Sequence, residues 1–360
     1  MSKELGSKER VKAAFGHGEP DRVPLDYFAN PEIDKRLKAH YGLGAEDDEG
    51  LRQALGIDFR NVMAPFNGPQ RFGAVKDRHI DEWGIRTRWI EHSSGGYWDY
   101  CDFPLEDAEL EDIRNWPIPE VDDYDYDALV EQCKRWKDYY LTLGNPGVGD
   151  FINSTGMIRT MEVVLMDLFE GAEEVLTIFD RRLEVQLKML DRCLDRAKGA
   201  IDLLWMGEDL GTQIAPILSL DLYREHLRPR HQQIVDLGKA YDIPVMIHSC
   251  GSSSWAFEDF IEMGISVIDT LQPEANNMDP AYLKKRYGDR LSFHGCISTA
   301  GPVVDAPVEE VIADVRNKLD ILMPGGGYAL APTHQLQDNT RTENVVAVYD
   351  TAKEYGRYNR

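Results

Sequence analysis

The sequence predicts an α/β protein built as one (β/α)8 TIM barrel over residues 1–360, with N-terminal helices and a β-meander inserted at residues 74–102. Three observations predict this fold. From residue 201 onward, short apolar runs alternate regularly with segments of helical periodicity. Earlier apolar runs bring the number of predicted strands to eight. No glycine-rich dinucleotide fingerprint follows the first run, which disfavours a doubly wound sheet. Alternating strands and helices form βαβ units around a parallel sheet.

Each element is placed from its periodicity and from the turn residues at its ends. The predicted strands cover residues 23–28, 58–65, 141–151, 201–206, 245–248, 267–271, 291–295 and 328–331. The predicted helices cover residues 7–16, 31–41, 127–140, 221–241, 252–263, 279–287, 308–322 and 342–355, and another ends near residue 55. Residues 157–198 are predicted to form two or more helices with a break at Gly171. Short segments rich in aromatic and β-branched residues predict the meander.

Charge and composition restrict the function. The net charge of −23 argues against nucleic acid or an anionic membrane as a partner, because both attract basic surfaces. No run approaches the ~18 apolar residues that span a bilayer. The charged N-terminal segment lacks the apolar stretch of a secretory signal. The five cysteines are widely spaced, so disulfides are not expected. We therefore expect a cytoplasmic protein whose thiols are available for metal binding or reaction.

Candidate functional residues gather at the carboxyl ends of the late strands, where active sites of this fold lie. His248 and Cys250 are two residues apart at the end of the fifth predicted strand, so their side chains share a face. His294 and Cys296 repeat this spacing at the seventh strand, and Glu208 follows the fourth. Imidazole, thiolate and carboxylate groups bind zinc, so Glu208, His248, Cys250 and Cys296 are predicted to hold Zn²⁺. The alternative is a buried thiol beside a core histidine, with Cys296 only packing against the next strand.

Other polar residues are assigned by their chemistry. His334, after the eighth strand, is predicted to donate a proton or to hydrogen-bond the substrate. Asp269, after the sixth strand, is predicted to orient the substrate or to shuttle a proton, and Glu208 is a candidate catalytic group as well as a ligand. His226 and His231 lie on a helix with alternating charges and are expected to be solvated. Three further cysteines are expected to be structural: Cys101, Cys133 and Cys193.

Six segments, in order along most of the chain, resemble the uroporphyrinogen decarboxylase superfamily. They are residues 19–24 (EPDRVP), 55–58 (LGID), 206–213 (MGEDLGTQ), 246–251 (MIHSCG), 288–295 (GDRLSFHG) and 324–334 (PGGGYALAPTH). The resemblance implies a (β/α)8 barrel, often dimeric, with its pocket at the carboxyl ends of the strands. It also implies one of two chemistries. These are decarboxylation of a tetrapyrrole and zinc-dependent transfer of a methyl group between a corrinoid protein and a thiol or related acceptor.

The chain departs from the decarboxylases at two places. They carry arginines just after the first strand and an aspartate after the second, whereas this chain has no arginine at residues 27–34 and has Asn61 at the second place. His334 resembles their late histidine. The methyltransferase motif is His-x-Cys followed much later by another Cys, and His248 and Cys250 match its first part. This chain has glycines at residues 325–327 in place of the late Cys, so the third ligand is either missing or replaced by Cys296.

The resemblance and the candidate ligands together predict a zinc-dependent methyltransferase. It would move a methyl group between a small methylated substrate or thiol and a corrinoid (methylcobalamin) carried by a partner protein. The resemblance also allows a homodimer. The alternative is a uroporphyrinogen decarboxylase-like lyase, or a tetrapyrrole-binding protein, that works without a metal.

Overall fold

The computed structural model describes residues 4–92 and 95–358. Residues 93 and 94, inside the predicted meander, lie outside the described residues. The strands, in chain order, are β1 (Phe59–Val62), β2 (His79–Ile80), β3 (Arg86–His92), β4 (Gly95–Tyr100), β5 (Tyr140–Gly144), β6 (Leu203–Gly207), β7 (Val245–His248), β8 (Val267–Asp269), β9 (Ser292–Ile297) and β10 (Tyr328–Pro332).

The predicted (β/α)8 barrel is confirmed, with its first strand reduced to a short bridge. Over the described residues, seven strands form one parallel sheet in the order β1-β5-β6-β7-β8-β9-β10. The sheet curls, and residues 23–28 lie between β10 and β1. Leu25 forms a parallel bridge with Leu330, and the backbone N–H of Asp58 donates to the Leu25 carbonyl at 2.9 Å. Because helices cover the outer face of the sheet, strands such as β6 and β9 are buried along their whole length.

Helices surround this sheet and also precede it. They are α1 (Ser7–Phe15), α2 (Pro31–His40), α3 (Asp48–Leu55), α4 (Leu110–Asn115), α5 (Tyr126–Arg135), α6 (Phe151–Arg159), α7 (Met161–Glu170), α8 (Glu173–Ala197), α9 (Leu220–Leu222), α10 (Arg228–Ala240), α11 (Phe257–Met263), α12 (Pro280–Tyr287), α13 (Val308–Leu322) and α14 (Thr342–Tyr355). A π-helical turn at Tyr223–Leu227 joins α9 to α10, and short 3-10 helices cover Val121–Asp123 and Ser254–Ala256. Across the described ranges, every helix is too short or too polar to cross a membrane.

Three apolar clusters are buried in the molecule, and two of them build the barrel. A large cluster lies between the sheet and the helices. A small cluster fills the interior of the barrel and consists of Val11, Phe59, Tyr140, Leu203, Trp205, Met246, Val267 and Ala329. Val11 belongs to α1, so this helix packs across the amino end of the barrel. The carboxyl end is therefore the end at which polar residues and cavities are expected.

The structure differs from the sequence prediction at residues 141–151, which were expected to form one strand. The strand β5 ends at Gly144, which adopts a φ of 99°, a value that favours glycine. The helix α6 begins at Phe151, where the side chain of Asp150 accepts a hydrogen bond from the backbone N–H of Asn153. The predicted break at Gly171 is present: its φ of 67° ends α7. The strands β2, β3 and β4 form an antiparallel sheet within the predicted meander.

Candidate metal centre

Three neighbouring strands bring polar side chains to one level of the barrel. The register aligns His248 of β7 with Asp269 of β8, and Asp269 with His294 of β9. Aligned residues of adjacent strands lie close enough for their side chains to meet. The Oδ2 atom of Asp269 lies 2.7 Å from Nδ1 of His248, and its Oδ1 atom lies 2.8 Å from Nδ1 of His294. Nε2 of His294 lies 3.1 Å from Oδ2 of Asp26, which belongs to the segment that closes the barrel.

The second ring nitrogen of His248 faces two further groups. Its Nε2 atom lies 3.3 Å from Sγ of Cys250 and 3.7 Å from Oδ1 of Asp209. The ligand atoms of Asp209, His248 and Cys250 all lie within 4.8 Å of one another. Within residues 4–92 and 95–358, no other group of three or more His, Cys, Asp or Glu side chains reaches this separation. The three residues form the candidate metal centre.

Hydrogen bonding prepares His248 for this role. An ionised carboxylate only accepts hydrogen bonds, so Nδ1 of His248 carries a hydrogen, and in the neutral, metal-binding form of the ring the lone pair of Nε2 faces Cys250 and Asp209. Burial raises the pKa of Asp269, but its charge interactions and hydrogen bonds with His248 and His294 outweigh burial and lower the pKa to about 2. Burial lowers the pKa of His294, but the nearby carboxylates of Asp269 and Asp26 raise it to about 9.

Two loops carry Asp209 and Cys250 and pack backbone against backbone. The backbone N–H of Cys250 donates to Oδ1 of Asp209 at 2.8 Å. Gly211 and Gly251 make this approach possible. A Cβ atom on Gly251 would lie 2.2 Å from the carbonyl oxygen of Gly211, and Gly251 also adopts a φ of 70°. The backbone N–H of Ser252 donates to the Thr212 carbonyl at 2.8 Å, which joins the loops further along.

Glu208, a predicted ligand, lies beside the centre and holds a helix. Its carboxylate accepts hydrogen bonds from the backbone N–H groups of Phe151 at 2.9 Å and Ile152 at 3.2 Å, at the N-terminus of α6. Burial raises the pKa of Glu208 to about 8, although these hydrogen bonds lower it. Asn153 of the same helix donates to Oδ2 of Asp209 at 3.0 Å. Glu208 therefore fixes the helix that orients Asp209.

The structure does not bring Cys296, the other expected ligand, to this group. Gly295 has a φ of 130° and Cys296 a φ of 81°, so the alternation of sides along β9 is broken after His294. Cys296 is fully buried in the apolar cluster between the sheet and the helices. Burial raises the pKa of its thiol to about 12, which disfavours the thiolate that metal binding requires; burial also raises the pKa of Cys250, but the hydrogen bond and charge of His248 oppose that shift.

Two cavities meet at the candidate metal centre. One has a volume of about 550 Å³, and its walls include Phe28, Phe59 and Trp205. The other has a volume of about 500 Å³ and lies beneath the meander. His248 and His334 line both cavities. The exposed side chain of His334 is thus placed where a substrate or product in either cavity would contact it.

Two further histidines, His226 and His231, and three further cysteines lie in the core. The expectation that His226 and His231 are solvated was wrong, since they are 8% and 0% exposed. The π-helical turn Tyr223–Leu227 changes which helix face meets the core. Nε2 of His231 lies 3.0 Å from the carbonyl oxygen of Gly149, and burial lowers the pKa of His231 to about 4. The cysteines expected to be structural are buried and free of disulfides: Cys101, Cys133 and Cys193.

Sequence reasoning missed two carboxylates of the site, Asp209 and Asp26. Asp209 follows Glu208 directly, and successive side chains near a strand end point to opposite sides, so the sequence allows either residue of the pair to face the barrel mouth. Asp26 lies within the apolar run of residues 23–28, where a carboxylate is buried only when it has a partner. In the structure that partner is His294, which lies 268 residues away along the chain.

The donor set of the centre fits zinc. Thiolate sulfur, imidazole nitrogen and carboxylate oxygen are the ligands that zinc takes in proteins, and a site with three protein ligands leaves one position for substrate. The hydrogen bond from His248 to Asp269 has the carboxylate–histidine arrangement that commonly supports a metal-bound imidazole. Asp209 and His248 are partly accessible, with side-chain exposures of 29% and 13%.

The fold and the site define the class: a (β/α)8 barrel protein with a candidate transition-metal centre at the carboxyl ends of its strands. The family model described as uroporphyrinogen decarboxylase (URO-D) matches residues 109–355, more than half of the chain. The chain therefore belongs to the uroporphyrinogen decarboxylase family, as the resemblance predicted. A sequence search of curated proteins found no match.

One solved structure shares the fold, and others are similar to it more weakly. A methyltransferase from Methanosarcina mazei is 16% identical, with a TM-score of 0.65 over 98% of this chain and 99% of that one. A β-glycosidase from Thermosphaera aggregans is 12% identical, with a TM-score of 0.44 over 94% of this chain and 97% of that one. A 3-keto-D-glucoside 4-epimerase from E. coli is 12% identical, with a TM-score of 0.36 over 71% of this chain and 95% of that one. At these identities, the first similarity shows a common fold, and the two weaker ones add nothing about chemistry.

Proposed function

We propose that this protein is a zinc-dependent methyltransferase. It moves a methyl group between a small methylated molecule or a thiol and a corrinoid carried by a partner protein. The observation that carries the proposal is the group formed by Asp209, His248 and Cys250 at the carboxyl ends of the barrel strands. The methyltransferase from Methanosarcina mazei, which has the same fold over nearly its whole length, supports it.

The roles of the residues follow from the donor set and its surroundings. Asp209, His248 and Cys250 would hold the zinc, and Asp269 orients His248. When bound, zinc would supply Lewis-acid chemistry, either by favouring the thiolate form of a substrate thiol or by polarising the leaving group of a methyl donor. His334, which lines both cavities, is placed to give a proton to a leaving group or to take one from a thiol.

The cavity beside His248 supports a small substrate. A volume of about 550 Å³ is in the range of pockets for small molecules, and aromatic side chains such as Phe28 and Trp205 form much of its wall. A methylated small molecule can lie against these rings with its methyl group directed toward the centre. A corrinoid must reach the same centre from outside. The partner protein that carries it, and a homodimer of this chain, are part of the proposal.

The test measures the zinc content of the protein and its rate of methyl transfer in the same preparations. Protein purified without added zinc is expected to hold about one zinc per chain. With cob(I)alamin and a panel of methylated small molecules, or with methylcobalamin and thiols, it should catalyse methyl transfer. Cys250→Ser should lose the metal and slow transfer by orders of magnitude. Cys193→Ala is the matched control, because this cysteine is buried in α8 and is not part of the candidate metal centre, so the variant should keep both the zinc and the methyl transfer. Transfer that persists in Cys250→Ser, or after full removal of zinc by a chelator, would contradict the proposal.

A metal-free decarboxylase is the second candidate, and membership of the uroporphyrinogen decarboxylase family favours it. The lining of the larger cavity weighs against it. An octa-anionic tetrapyrrole needs several cationic side chains, and of the two arginines that line this cavity, Arg60 is already paired with Glu49 at 2.7 Å. Incubation of the zinc-free protein with uroporphyrinogen III separates the candidates. Formation of coproporphyrinogen would replace the methyltransferase proposal with this one.

A further inference from the structure

His294 lies at the same level of the barrel as His248, but its hydrogen-bond partners are Asp269 and Asp26 and include none of the candidate metal ligands. It has no exposed area, and its two ring nitrogens face two carboxylates. Nδ1 lies 2.8 Å from Oδ1 of Asp269, and Nε2 lies 3.1 Å from Oδ2 of Asp26. Since carboxylates only accept, both nitrogens donate. The ring is thus held at both ends.

The carboxylate of Asp269 has one oxygen for each histidine. Oδ1 accepts from His294, which leaves Oδ2 as the oxygen that accepts from His248 at 2.7 Å. A carboxylate with a single hydrogen bond turns about its χ2 angle easily, because that rotation is soft. The second hydrogen bond fixes this angle. The orientation of Asp269 in turn fixes which nitrogen of His248 carries the hydrogen and which faces Cys250 and Asp209.

Asp26, the second carboxylate that faces His294, is also held in place by hydrogen bonds. The other oxygen of Asp26, Oδ1, accepts from the backbone N–H of Tyr27 at 2.8 Å. The hydroxyl of Tyr349 donates to the backbone carbonyl of Asp26 at 2.8 Å. The ring of Phe59 packs edge-on against the His294 imidazole, with 5.4 Å between ring centroids. The row Asp26–His294–Asp269–His248 therefore connects the metal centre to the segment that closes the barrel.

We propose that His294 is a positioning residue of the metal centre. It holds Asp269 in the one orientation that keeps the hydrogen of His248 on Nδ1 and presents Nε2 to the metal. The inference rests on the metal site of the proposed function but not on methyl transfer. The competing explanation is that His294 only neutralises two buried carboxylates and packs the interior, in which case its loss would lower stability without a specific effect on His248.

Three variants separate these explanations. His294→Leu removes both hydrogen bonds. His294→Gln keeps an amide N–H that can donate to Asp269 and is the conservative variant. Phe59→Leu is the packing control, because Phe59 contacts the same ring without a hydrogen bond to Asp269. Zinc affinity is measured by competition with a chromophoric chelator. The protonated nitrogen of His248 is read from ¹⁵N chemical shifts in the metal-free proteins, at a pH high enough for the imidazole ring to be neutral.

His294→Leu is expected to weaken zinc binding by about 10- to 100-fold, the usual cost of losing a residue that supports a metal ligand. The ¹⁵N shifts should show a mixture of tautomers at His248. His294→Gln should recover much of the affinity, and Phe59→Leu should keep both the affinity and the single tautomer. If His294→Leu does not fold, His294→Gln alone is compared with Phe59→Leu and should bind zinc measurably more weakly.

Equal zinc affinity in the His294 variants and Phe59→Leu, with one tautomer of His248 in all of them, would overturn the inference. Its failure is distinguishable from failure of the proposed function. Zinc binding by the unaltered protein without methyl transfer would end the methyltransferase proposal, while the affinities of the variants would still decide the role of His294. No zinc binding by the unaltered protein would overturn both.

Discussion

Glu208 and Asp209 are adjacent in sequence, yet their carboxylates have different surroundings. The Glu208 carboxylate is 1% exposed and holds the backbone N–H groups at the start of α6. The Asp209 carboxylate is 29% exposed and lies 3.7 Å from Nε2 of His248. A carboxylate that binds a metal needs a free lone pair and access for the ion. Asp209 meets both conditions, whereas the Glu208 carboxylate is buried and already accepts hydrogen bonds from the N-terminus of α6.

Changing each carboxylate to its amide tests this assignment. Asp209→Asn should lower zinc affinity by at least about 10-fold, because an amide oxygen is a much weaker ligand than a carboxylate. Glu208→Gln should keep the metal but lower the free energy of unfolding by about 1–3 kcal/mol, since its NH₂ group would face a backbone donor. Zinc titration and thermal unfolding of both variants provide the measurements. Loss of zinc in Glu208→Gln with retention in Asp209→Asn would reverse the two roles.

Two loops, residues 207–212 and 249–252, act as one element because their glycines allow the backbones to touch. Gly251→Ala should therefore disturb the centre although no ligand is changed. The added Cβ would meet the Gly211 carbonyl at 2.2 Å, so the loops must separate and move Asp209 from Cys250. We expect a loss of at least about 2 kcal/mol in the free energy of unfolding, from strain at positive φ together with the clash. Zinc binding should weaken as well.

The matched control for this element is Gly171→Ala. Gly171 has a similar φ of 67°, but a Cβ atom there meets nothing within 4 Å. The free energy of unfolding of this variant should fall by only about 1 kcal/mol, the cost of placing a Cβ atom on a left-handed backbone, and its zinc affinity should not change. Calorimetry and zinc titration of both variants make the comparison. Identical losses of stability with intact zinc binding in Gly251→Ala would show that contact between the loops does not shape the site.

Element order was predictable from sequence because it depends on local periodicity. The late strands and helices alternate with apolar patterns that a parallel barrel requires, and the observed bounds follow them closely. The turn after Gly144 has a sequence signal, since Asn145, Pro146 and Gly147 follow it, but the prediction extended the strand through these residues to the start of α6. The direction of the Cys296 side chain depends on the positive φ values of residues 295 and 296, which spacing alone does not reveal. The contact between Asp26 and His294 depends on closure of the whole barrel.

Closure of the barrel depends on a short segment with few sheet hydrogen bonds. On the β10 side of this segment, the backbone N–H of Leu330 donates to the Pro24 carbonyl. On the β1 side, the backbone N–H of Asp58 donates to the Leu25 carbonyl. With no exposed area, Asp58 accepts from Arg10 at 2.7 Å, from Arg22 at 2.8 Å and from the backbone N–H of Leu25 at 3.0 Å. Because Asp26 follows Leu25, a loosened segment would also displace the row of side chains that leads to His248. Stability of the whole molecule and geometry of the site are thus coupled through Asp58.

Asp58→Asn tests this coupling. It leaves Arg22 without its buried counter-ion and Arg10 with Asp21 alone, and should lower the free energy of unfolding by about 3–5 kcal/mol. Hydrogen exchange should accelerate at the amides of Leu330 and Asp26, and zinc binding should weaken. Asp202→Asn is the matched control, since Asp202 is also buried at the amino end, pairs with Lys8 at 2.7 Å and accepts from the backbone N–H of Leu141. It should lower stability without faster exchange at Leu330. Unchanged exchange at Leu330 in Asp58→Asn would mean that other contacts close the barrel.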